Sequence, residues 1–125
     1  MMKPALKNSA ILLLLTFVVP FLSFAQVLKP VKWTFSSKQI SAGEVQLIFT
    51  ASIDRTWHLY SQDVPPPPDG PVATSFVFEK SADYKTIGNV KEPKAIEEYD
   101  NQFQTTLKFF VDKAVFTQNI KVLSV

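Results

Sequence analysis

The residues with most chemistry to offer gather in one stretch, WHLYSQDVPPPPDGP at positions 57–71, which holds the chain's only histidine, His58. An imidazole titrates near neutral pH, so it can serve as a general base, a nucleophile's partner or a metal ligand. Each role needs companions. A metal centre wants three or four ligands, and without cysteine His58 would have to draw carboxylates from elsewhere. Asp54 and Asp63 flank it, but neither spacing sets a carboxylate beside His58 on one strand face. Ser52, Ser61 and Ser75 could each be a nucleophile, yet no G-x-S-x-G elbow accompanies them. His58 is therefore expected to be structural or solvent-facing.

Glu97-Glu98-Tyr99-Asp100 is the other cluster. A glycosidase needs an acid and a base held about 5–10 Å apart across a cleft, which neighbouring acids in one short segment do not supply. Calcium ligation by Glu97, Asp100 and Asn101 lacks the EF-hand spacing. The segment is expected to be a solvated loop. No catalytic, cofactor-binding or metal-ligating residue is assigned, no cofactor is expected, and no small-molecule substrate is evident.

The elements that would position these groups read as β throughout. Val31, Trp33 and Phe35 alternate with polar residues, and Val45, Leu47, Phe49, Ala51 and Ile53 share one side of a second strand. Gly43 before it and Asp54-Arg55 after it are turn signals. Positions 57–62 predict a third strand, Phe76 and Phe78 a fourth, 84–90 a fifth, Phe103 to Phe109 a sixth and 115–122 a seventh. Pro93 suits the first position of a single helical turn over 94–100, but that turn is not expected, and no segment shows a helical stripe. Six or seven short strands indicate an all-β, immunoglobulin-like β-sandwich. Pro65 to Pro68 remove four backbone donors, which predicts a stiff polyproline loop after the third strand. The many aromatics are expected in the core. Tyr60 and Phe110 fall on the opposite parity from their apolar neighbours and, if exposed, would form a partner surface.

Residues 1–25 read as a signal peptide: Lys3 and Lys7, an apolar run over 10–24, then Ser23-Phe24-Ala25 before Gln26. The run is short beside the roughly 20 residues of a membrane span. The domain proper is then 26–125. Of 13 basic residues two lie in the signal, which leaves 11 against 11 acidic ones. That neutrality argues against nucleic acid, which demands a clustered basic surplus. Lack of cysteine removes thiol chemistry and disulfide support from an exported domain.

Three segments, VKWTFSSKQISAGEVQLIFTASIDRTWHLYSQ, GPVATSFVFEKSADYKTIGNVKEPK and YDNQFQTTLKFFVDKAVFTQNIKVLS, resemble the N-terminal periplasmic domain of DsbD-type thiol:disulfide interchange proteins. The resemblance covers positions 31–124 and is most specific in TWHLYSQ, in GPVATSFVF and in EPK. It implies an immunoglobulin-like sandwich in the periplasm (secretion being the alternative). It also implies periplasmic or membrane redox proteins as partners, to which reducing equivalents pass through a cysteine pair beyond a strand like 115–122. This chain offers no position for that pair, so it is expected not to be redox-active alone. An apolar strand running almost to Val125 suggests C-terminal truncation, since a further strand would cover its edge. The rival expectation is a non-redox protein-binding or adhesion module on the same sandwich.

Overall fold

The computed structural model describes residues 28–124, all of them strand, turn or irregular backbone. Positions 1–25, read from the sequence as a signal peptide, lie outside the described residues. Strand β1 (Val31–Ser41) and strand β2 (Glu44–Ile53) form a hairpin in register from Val31↔Ile53 to Gln39↔Val45, with a one-residue shift before Ser41↔Glu44. Its turn requires the left-handed conformation at Gly43 (φ 76°), which glycine adopts without steric cost. Strand β3 (Leu59–Tyr60) is short; β4 spans Tyr84–Lys91, β5 Ile96–Asp100, β6 Thr105–Phe110 and β7 Lys113–Val122. They assemble into two antiparallel sheets, ordered β1-β2-β7-β4 and β3-β6-β5.

Strand parity decides which side chains meet. Trp33, Ala51 and Ala114 stand in register across three strands, as do Phe35, Phe49 and Phe116. Ala51, Ile53, Phe110, Ala114 and Phe116 form the buried centre, with Leu59, Trp33 and Phe76 packed against it. Leu59 and Phe110 are paired, so they face this centre from the second sheet together. Among the described residues every strand and every core residue lies between Val31 and Val122, so that stretch holds the core of the domain.

The structure departs from sequence expectation in several places. Phe76 and Phe78 belong to no strand. Their segment is extended, and Thr74 N–H donates to the Tyr60 carbonyl at 3.3 Å. Side chains hold it instead: the Phe76 ring lies 5.9 Å from Trp33, 5.2 Å from Phe49 and 5.2 Å from Phe116, while Val72 and Val77 point to solvent. It straps across the aromatic face of the first sheet. Positions 96–100, expected as a loop, are the edge strand β5; a strand this polar shows no apolar alternation and is held by its backbone pairing with β6. The proline run bends back rather than projecting as a rod, because the Asp69 and Gly70 N–H groups both donate to the Pro66 carbonyl, at 3.0 and 3.2 Å. Gly70 is buried beneath it, where a methyl group would overlap the Pro65 carbonyl oxygen. Among the aromatics expected inside, Phe35 and Trp57 are instead exposed.

The turn from β2 to β3 carries local strain. Trp57 N–H donates to the Asp54 carbonyl at 3.1 Å, and Thr56 sits at φ 71°, a left-handed conformation that disfavours a β-branched residue. Replacing Thr56 with glycine is expected to stabilise the domain by about 1 kcal/mol, strain relief exceeding the added chain entropy. The urea midpoint should rise with an unchanged slope.

Candidate functional site

The segments TWHLYSQ and EPK meet in space. Beyond β3 the chain runs into Ser61, fully buried, whose N–H donates to the Lys108 carbonyl at 3.0 Å. The Ser61 hydroxyl donates to Glu92 Oε2 at 2.5 Å, and Gln62 N–H and Nε2 donate to Oε1 at 3.0 and 3.1 Å. Ser61 Oγ in turn accepts from Asp63 N–H at 3.0 Å. One carboxylate thus ties the end of β3 to the crossover from β4 to β5. Ser61 is occupied as a structural donor.

His58 and Tyr60 lie on the other face of the second sheet. The His58 ring stacks on Phe109, with centroids 4.2 Å apart and planes 20° from parallel. Beside them a shallow groove of about 70 Å³ is lined by Tyr60, Glu98, Asp100, Leu107 and Phe109. Tyr60 is half-buried at its wall. Phe110 does not join it: paired with Leu59, it turns to the opposite face and packs in the core, its ring 5.5 Å from Phe116. That corrects the expected pairing of Tyr60 with Phe110 on one surface. Strand β6 is apolar on both faces, Leu107 and Phe109 outward and Phe110 inward, so parity alone could not say which side was the core. The residues that do join Tyr60 are His58 and Phe109, the latter only 6 % exposed beneath the His58 ring; Ile96 (40 %), paired with Phe109, extends the apolar surface along β5, whereas exposed Tyr99 pairs with Thr106 and has the parity of the opposite face.

Asp100 Oδ1 accepts from Gln102 and Phe103 N–H at 2.8 and 2.9 Å, capping the β5–β6 turn. Among the described residues no group of three His, Asp or Glu converges to hold a metal. Lys108 Nζ reaches Asp63 at 2.7 Å and Glu97 at 3.9 Å. Its hydrogen bond to Asp63, reinforced by that carboxylate's charge, raises the ammonium above its ordinary value of 10.5. A second cleft of about 510 Å³ lies between the strap and β4, over Phe76, Phe78 and Gln118. Its buried amide is already committed: Gln118 Nε2 donates to Ile87, Gly88 and Asn119 carbonyls at 3.1, 3.2 and 2.8 Å, holding the irregular turn of β4 at Gly88.

Sequence reasoning missed one feature. With odd positions of β1 and β2 and even positions of β7 turned inward, the outward face of the first sheet carries Lys32, Lys38, Lys113 and Lys121, and β4 adds Lys85 and Lys91. All six are exposed, and Glu44 is the only acidic residue among them. The neutral total conceals a clustered surplus of five, so the ground on which nucleic acid was set aside does not hold. Combining charge with strand parity would have revealed it.

Fold and site together define an all-β, two-sheet domain with an aromatic groove on one outer face and a lysine-rich sheet on the other. No protein family, curated protein or solved structure matches the chain.

Proposed function

We propose that the chain is an exported docking domain of the DsbD N-terminal type, with an immunoglobulin-like sandwich. On this reading it serves thiol–disulfide interchange in the periplasm by binding a redox partner without itself carrying electrons. The observation that supports it is the Ser61–Gln62–Glu92 cluster: two of the three segments on which the resemblance is most specific, TWHLYSQ and EPK, form one hydrogen-bonded unit. That unit fixes β3, and with it the groove around His58, Tyr60 and Phe109, as the face offered to a partner. The 125 residues contain no cysteine, so they do not carry the electrons themselves.

The same lack of cysteine favours a second reading, a non-redox protein-binding or adhesion module using the same groove. Titration of the isotope-labelled domain with a purified thioredoxin-fold periplasmic disulfide isomerase distinguishes them. Selective NMR shifts at His58, Tyr60, Ile96 and Phe109 are expected, with the micromolar-to-millimolar affinity of a transient contact. No shift at about 1 mM partner would overturn the redox-docking reading and leave the adhesion module.

A further inference from the structure

We infer that the outward face of the β1-β2-β7-β4 sheet is a docking surface for an anionic lipid bilayer. Six of the ten lysines in the described residues stand on this one face with a single carboxylate, Glu44. Six lysines against one glutamate give the face +5. The remaining five basic and ten acidic residues of 28–124 give the rest of the domain −5. Among the described residues none of the six is in a salt bridge; the cation that is paired, Lys108, lies on the other sheet. A domain neutral over residues 28–124 has separated its charge between this face and the rest of its surface.

Shape and chemistry favour a membrane surface over other polyanions. The lysines are spread across four neighbouring strands about 4.8 Å apart and along about 20 Å of β1, which makes a sheet of charge rather than a groove tracking one phosphodiester strand. The face presents no aromatic side chain for base stacking and no arginine for bidentate phosphate recognition. Lysine is a point charge on a flexible stem, suited to mobile headgroups. Exposed Ile87 and Val115, at 40 % and 37 %, stand between the lysines and give the face apolar contacts for the interfacial region. Docked this way, the domain keeps the acidic second sheet and the groove around Tyr60 toward solvent.

The test is flotation of residues 26–125 with vesicles of 30:70 phosphatidylglycerol and phosphatidylcholine, against vesicles of phosphatidylcholine alone. Binding to the anionic vesicles alone is expected, lost at high salt, where the Debye length shrinks to about 3 Å. Each lysine is expected to contribute roughly five-fold to partitioning. The triple variant Lys85→Gln, Lys91→Gln, Lys121→Gln should therefore partition about a hundred-fold more weakly. Its thermal midpoint should be unchanged, because all three side chains are exposed. Equal binding to both vesicle types would overturn the proposal, as would undiminished binding of a folded triple variant. So would tight binding to duplex DNA or polyaspartate by a domain that ignores the anionic vesicles.

Discussion

Replacing Phe116 with alanine is expected to remove about 3–5 kcal/mol, a large part of the total stability of a domain this size. Phe116 is fully buried in the centre of β7, and its ring meets Trp33 at 5.8 Å, Phe76 at 5.2 Å and Phe110 at 5.5 Å. Those three rings come from the first sheet, the strap and the second sheet, so truncation opens a cavity where all three layers join. Collapse around it is blocked, since β7 is held on both flanks by β2 and β4. Scanning calorimetry should show the midpoint falling by more than about 12 °C, or no cooperative transition. Phe116→Leu should cost only about 1.5 kcal/mol, because it retains most of the volume. An alanine variant within about 1 kcal/mol of the parent would mean the layers are not joined through this ring.

The second large effect is expected at Glu92. Its carboxylate accepts from the Ser61 hydroxyl and from Gln62 N–H and Nε2. Glu92→Ala leaves a fully buried hydroxyl and a backbone donor without that partner, while Gln62 Nε2 keeps only the Val90 carbonyl at 3.3 Å. With bonds to a charged acceptor worth about 1.5–3 kcal/mol each, and partial repair by entering water, a net loss of about 3 kcal/mol follows. Glu92→Gln retains an acceptor of the same shape and should lose about half as much. A double-mutant cycle with Ser61→Ala decides the mechanism, since removing both partners should cost distinctly less than the sum of the single losses. Strict additivity would show that Ser61 and Glu92 do not act as a pair.

Where a strand has one apolar face, the sequence declares it. The inward residues of β2 and β7 recur with period two, and their register follows the same parity. The legible part ends where backbone and side chain play separate roles. Phe76 and Phe78 alternate like strand residues, yet they hold their segment chiefly by ring packing, with the Thr74 N–H bond to Tyr60 beside it. Glu97, Glu98 and Asp100 look like loop residues, yet they pair through the main chain. At the groove, Tyr60 was legible from its parity. Phe110 was not, because Leu107, Phe109 and Phe110 make β6 apolar on both sides and only the third dimension separates them. The link from Ser61 to Glu92 spans 31 positions and carries no periodic signal.

The strap gives the domain an uneven resistance to opening. The strands around Phe116 are secured by ladders on both flanks, whereas residues 72–80 are anchored chiefly by two phenylalanine rings dropped into the aromatic face. Lifting that strap breaks few main-chain bonds, so it is a sub-global opening that leaves both sheets paired. Amide protons along the strap therefore exchange with solvent by a route that does not pass through unfolding. In the opened form Trp33, Phe49 and Phe116 face solvent on a sheet that is still folded, which makes it, rather than the fully unfolded chain, the species most prone to self-association.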